Sequence, residues 1–177
     1  MAKSSMKILC FFLFFLLLSA NAEEKILQTQ VLKNITFQTP VPFSAPAVFG
    51  MEAFTLSYPA NSPQGKETFE IRLVFISTQM LENINMDEVE LLKYVKTTFL
   101  GTAKKAEKNN KRFFMNRSIE GELLSKKIPR PLLLEVYLLS LQDGSKLAIS
   151  FIYEKDMDIK IAQEIMTTIS NTLKYKE

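Results

Sequence analysis

Two apolar runs, residues 132–141 and 146–153, stand on either side of Asp143-Gly144, and no other feature restricts the fold as much. An aspartate followed by glycine supplies the positive φ angles that a tight hairpin turn requires. The two runs are therefore predicted to pair as antiparallel strands. A chain with such a hairpin must cover the apolar face of a sheet, and the rest of the sequence shows what is available to cover it.

Residues 68–77 alternate cleanly. Phe69, Ile71, Leu73 and Phe75 fall on one face, with Glu70 and Arg72 on the other, which is the period of a half-buried strand. Residues 53–58 form a shorter strand that is predicted to pair with it across a long loop. One early strand is placed near 31–37. Residues 112–125 read as a single long strand, in which Gly121 marks a bulge or a close backbone approach. Residues 102–111 read as an exposed, lysine-rich connection.

Two helices are predicted. Asn85 and Glu88 have the spacing of a capping box, and Val89, Leu92, Val95 and Phe99 follow at helical intervals, with Gly101 placed to end the helix. The closing helix spans 156–174 and is capped by Asp156. Ala162, Ile165, Met166, Ile169 and Leu173 line one of its faces. The order is strand, hairpin, helix, three strands, helix, with no βαβ alternation. The expected fold class is α+β, an antiparallel β-sheet flanked by helices.

The segments Asn116-Arg117-Ser118-Ile119-Glu120-Gly121, 132–153 with its Asp143-Gly144 turn, and the closing helix carry a family resemblance. Over about residues 31–175 the chain resembles the PsbP/DcrB-like family. The resemblance implies a PsbP-like sandwich, a central antiparallel sheet with helices on its faces. It also implies a protein that binds another protein and catalyses nothing, since most members do so. The family has no shared active site, so no residue role carries over.

Residues 1–22 have the layout of a secretory signal peptide: Lys3 and Lys7, an apolar run over 8–18, and Ala20-Asn21-Ala22 as a small-x-small cleavage site. The run is too short to span a bilayer, which takes roughly 20 apolar residues. Its removal is expected to leave residues 23–177 as a single α+β domain with no membrane span. The one cysteine, Cys10, lies in this leader. A thiol-free exported domain fits a bacterial periplasm, or secretion beyond it.

The missing residue types exclude most familiar chemistry. There is no His, and Cys10 departs with the leader. Imidazole-dependent nucleophilic catalysis, zinc ligation and thiol redox chemistry are therefore not expected. Catalytic residues, cofactor and metal are all expected to be none. Without Lys3 and Lys7 the 22 cations become 20 against 19 anions, too balanced for nucleic acid binding. Glu120 and Glu122 share a strand face but read as solvated. Glu154, Asp156 and Asp158 lack the glycine and the further oxygens of a calcium loop.

The expected function is a non-enzymatic, exported protein-binding domain, an immunity- or chaperone-type partner of a secreted protein. The candidate contact residues are Phe43 and Phe49 in the proline-rich segment 40–50, and Lys104, Lys105, Lys108, Lys111 and Arg112 in the basic stretch. The plainer reading of Phe43, Val48 and Phe49 is that they tuck onto the core; the sharper one makes them an apolar lip for a ligand or partner. The alternative function is a periplasmic small-ligand or lipid carrier, suggested by the eight methionines.

Overall fold

The computed structural model describes residues 27–49, 52–61, 66, 68–100, 108–126 and 130–176. Residues 1–22, where the leader is expected, and Gly101, Lys104 and Lys105 lie outside these residues, as do the side chains of Phe99 and Lys108.

The predicted central hairpin is present. Strand β8 (Leu132–Ser140) pairs antiparallel with β9 (Lys146–Glu154), with Ser140 opposite Lys146. Gly144 takes φ +82° in the connecting loop, where Leu141 N donates to Ser145 O at 2.9 Å. Asp143 Oδ1 accepts from Ser145 N at 3.0 Å and fixes the turn.

On β9 every residue from Leu147 through Tyr153 is buried. The strand sits inside a seven-stranded antiparallel sheet of order β3-β4-β5-β9-β8-β7-β6. Here β3 is Ala47–Phe49, β4 Ala53–Tyr58, β5 Phe69–Ile76, β6 Lys108–Phe114 and β7 Arg117–Lys126. A second, three-stranded sheet joins β1 (Gln28–Leu32), β2 (Ile35–Thr39) and β10 (Lys174–Tyr175) in the order β1-β2-β10.

The pleat of β9 divides the interior into two cores. Leu147, Ile149, Phe151 and Tyr153 meet Phe69, Ile71 and Leu73 of β5, Ile35 and Phe37 of β2, and Ile165, Met166 and Ile169 of helix α3 (Ile159–Thr172). Ala148 and Ile152 point the other way. There they join Leu134 and Val136 of β8 beneath Leu91 and Val95 of helix α2 (Glu88–Leu100). Alternating side chains reach opposite faces of a strand, so a strand covered on both sides shows no polar alternation. The α+β sandwich expected from the sequence is the observed architecture. Each buried Ile or Met on α3 contributes about 1.5–3 kcal/mol relative to exposure.

Several boundaries differ from the sequence reading. The early strand is a hairpin, β1 and β2, turning at Lys33, which has φ 50°. The long strand over 112–125 is also a hairpin. Met115 and Asn116 both take left-handed φ, 48° and 62°, which is the requirement of a two-residue type I′ turn. Lys108 and Lys111 lie on β6 together with Arg112, and not in the expected connection.

The capping box lies two residues later than expected. Asp87 Oδ1 accepts from Glu90 N at 2.8 Å, and Asp87 N donates to Glu90 Oε2 at 3.3 Å. Asn85 instead ends a short helix, α1 (Thr78–Ile84), at φ 46°. Over residues 88–97 the inner stripe of α2 is Leu91 and Val95, four residues apart, while Val89 is 76% exposed. Asp158, not Asp156, caps α3 by accepting from Lys160 N at 2.8 Å.

Candidate functional site

The large sheet ends in β3 on one side and β6 on the other. Six inter-strand steps separate them, or about 29 Å at the usual strand spacing. The two candidate contact regions thus occupy opposite edges and do not form one surface.

At the β3 edge the two phenylalanines part company. Phe43 is buried and belongs to the main core, with its ring 5.9 Å from that of Tyr58 and 6.2 Å from that of Phe69. It is a packing residue, which corrects its candidacy as a contact. Burial of the ring against two neighbouring aromatics outweighs its place in a proline-rich segment. Phe49 is 54% exposed and Val48 61%. Both stand on β3, which pairs only with β4 among the described residues. Residues 40–50 contain no ionisable side chain, so this lip is uncharged.

At the β6 edge Lys111 is exposed and bonds Glu120 across the hairpin at 2.9 Å. The hydrogen bond, then the Coulombic pull, holds the Lys111 ammonium above and the Glu120 carboxyl below their ordinary values. Glu122, on the same face, bonds Lys96 of α2 at 2.7 Å. Both carboxylates face lysines, as solvated or bordering ion pairs do.

Arg112 does not face a partner either, and its candidacy is corrected. Its pleat position turns it inward, on the face shared with Phe114. Nε donates to Glu135 Oε2 at 2.8 Å, and Nη2 donates to Glu135 Oε1 at 3.3 Å and to Gln163 Oε1 at 3.0 Å. Met166 Sδ lies 3.3 Å from Nη2, and the Phe151 ring centroid lies 6.0 Å from the guanidinium carbon.

Glu135 is 1% exposed and takes two further donors. Tyr137 Oη donates to Oε2 at 2.6 Å and Tyr153 Oη to Oε1 at 3.3 Å. Burial, helped by the neighbouring carboxylate, pushes both phenols well above the ordinary tyrosine range. Burial opposes the charge on Arg112, but the hydrogen bond and charge of Glu135 more than offset it.

Each carboxylate oxygen of Glu135 thus receives one guanidinium and one phenol donor. A charge satisfied in this way is stable inside a protein. It has no oxygen left over to take a proton from a substrate. The network ties the edge hairpin to α3 and does no chemistry that its geometry reveals. Sequence reading passed over it. The available signal was a lone glutamate in the otherwise apolar stretch 132–139, which needs a buried cation nearby.

Among the described residues, no group of three or more acidic, His or Cys side chains could hold a metal ion, and no helix is long and apolar enough to cross a membrane.

No protein-family model matches the chain, and no curated protein matches it by sequence. Solved structures do match it. The Ran-binding protein Mog1p of Saccharomyces cerevisiae aligns with a TM-score of 0.59 at 10% identity, over 86% of this chain and 96% of that one. A protein of Bacteroides thetaiotaomicron aligns at 0.50 and 12% identity, over 81% of this chain and 46% of that one. The PsbP protein of the cyanobacterium Synechocystis aligns at 0.44 and 9% identity, over 88% and 96%. The fold of this chain is that of Mog1p, and the expected resemblance holds at the level of fold.

Proposed function

We propose that the protein is an exported, non-enzymatic domain that binds another protein through the β3 edge of its large sheet. The observation that carries this reading is the exposure of Val48 and Phe49 on a strand that, among the described residues, is paired along one side only. An unpaired edge is a template for a further strand. A partner strand laid along β3 would gain main-chain hydrogen bonds, and Phe49 would enter an apolar pocket on that partner. Since β3 has only three residues, the side chains supply most of the affinity.

The role is that of an immunity- or chaperone-type partner of a secreted protein, in a bacterial periplasm or outside the cell. The leader supports the compartment. The fold shared with a protein described as Ran-binding supports the class. The basic edge is the weaker docking surface, because Lys111 is paired and Arg112 is engaged inside.

The test is a pull-down from envelope extract with C-terminally tagged full-length protein, wild type and Phe49→Asp. One stoichiometric partner, held by the wild type at moderate salt and lost by the variant, is the expected result. Equal capture by Phe49→Asp removes the β3 edge from the reading. No partner at any salt concentration sinks the protein-binding reading itself.

A further inference from the structure

The two helical layers are held to the sheet in different ways. On α3, Ala162, Ile165, Met166 and Ile169 are fully buried against the larger core, and Gln163 adds a bond to Arg112. Over residues 88–97 of α2 only Leu91 and Val95 are buried, and α1 buries no residue; Leu81 and Ile84 of α1 and Leu92 of α2 pack on the smaller core while only partly buried. The outer surface of this layer meanwhile exposes Met80, Met86, Val89 and Tyr94. A helix gains from packing only what its inner stripe removes from water. An apolar group on the outer side gains nothing from the sheet.

What supplements this weak seat is a pair of ionic contacts at its borders. Glu88 at the start of α2 bonds Lys146 of β9, and Lys96 farther along bonds Glu122 of β7. Beneath lie Ile76, Leu124, Leu134, Val136, Ala148 and Ile152, all buried in the smaller core.

The geometry points to α1 and α2 as a latched cover, which lifts as a unit and bares this apolar strip while the sheet and α3 stay folded. The strip is a second apolar surface, separate from β3 and shown only when the cover is open. Ionic strength is its control, since salt screens contacts between partly exposed charges. The β3 reading plays no part in this inference, and either can fail alone.

The test reports access to the strip directly. Ala148 lies under the cover and Ala162 under α3, and each is replaced singly by cysteine in the full chain. Reaction with an aromatic disulfide reagent is followed by peptide mass mapping, which separates the label from any on Cys10. Opening should make Ala148→Cys react at least about tenfold faster than Ala162→Cys, as regions of lower local stability do. Lys146→Met with Glu122→Gln alters only the sheet side of the latches. That background should raise the Ala148→Cys rate by about two- to fivefold, the effect of losing weak ion pairs.

Equal rates at the two cysteines would overturn the cover, and so would indifference to the neutralised latches. Should Ala148→Cys melt early, hydrogen exchange on the wild type decides. Amides of residues 88–97 should then exchange well before those of 159–172, and equal protection of the two helices would overturn the inference.

Discussion

The ring of Tyr137 lies against the backbone of Gly121, its partner on the adjacent strand. A Cβ on Gly121 would stand 2.4 Å from Tyr137 Cε1 and 2.6 Å from the carbonyl oxygen of Val136. The missing side chain gives the ring its place. From there the phenol reaches Glu135 at 2.6 Å, and the ring packs on that of Phe114 with centroids 5.1 Å apart.

Gly121→Ala should therefore destabilise the fold by about 2–3 kcal/mol, the usual cost of forcing atoms into a full site. The clash involves a backbone carbonyl, which cannot swing aside as a flexible side chain can. A urea titration should show a lower midpoint at unchanged slope. A loss under about 0.5 kcal/mol would mean that β7 shifts freely, contrary to this packing.

The glycine was visible in the sequence as a close approach, but what approached it was not. Tyr137 sits on another strand, and a single chain does not show which residues its register places opposite one another. The same limit hid the Arg112–Glu135 bond, whose partners are 23 positions apart. By contrast the β8–β9 hairpin and the buried face of α3 were readable, since both follow from local spacing. The turns at Lys33 and Met115 were missed because neither residue is a habitual left-handed one. Asn116 was the one local cue to the second of them. Of the two candidate phenylalanines, Phe49 is exposed, against the plainer reading that tucked it onto the core. Phe43 is in the core, as its plainer reading had it; the sequence could not tell the two phenylalanines apart because alternation cannot be read through three prolines.

Breaking the buried ion pair on one side should be costly. Arg112→Met leaves the Glu135 charge inside the core without its cation and should cost about 3–5 kcal/mol. Adding Glu135→Leu removes the stranded charge and should restore much of that loss. A double-mutant cycle by urea unfolding measures the coupling. Additive losses would mean that the two side chains do not act as a pair.

Alkaline pH should weaken the fold through Tyr137 and Tyr153. Both phenols titrate higher folded than unfolded. Below about pH 10 both states hold these protons, and the contribution is constant. Above it the unfolded chain releases them while the folded chain keeps them. The unfolded state then binds fewer protons, and stability falls as pH rises. Each tyrosine should contribute a slope of about 1.4 kcal/mol per pH unit. Unfolding free energies near about pH 9 and about pH 11 test this, and Tyr153→Phe should reduce the drop. A variant that falls as steeply as the wild type would put Tyr153 outside the effect.

Phe43 and Phe49 should separate stability from binding. Phe43 fills a site between Tyr58 and Phe69, so Phe43→Ala should cost about 3–5 kcal/mol by leaving a cavity. Phe49 is half in solvent on a strand whose outer edge no described residue pairs with. Phe49→Ala should change unfolding by no more than about 0.5 kcal/mol. If Phe49 is an anchor of the interface, the same change should weaken partner affinity by about 2 kcal/mol, near thirtyfold. Thermal melts and affinity titrations on the two variants give four numbers. A Phe49→Ala protein that melts early but binds normally would reverse the assignment and make Phe49 a packing residue like Phe43.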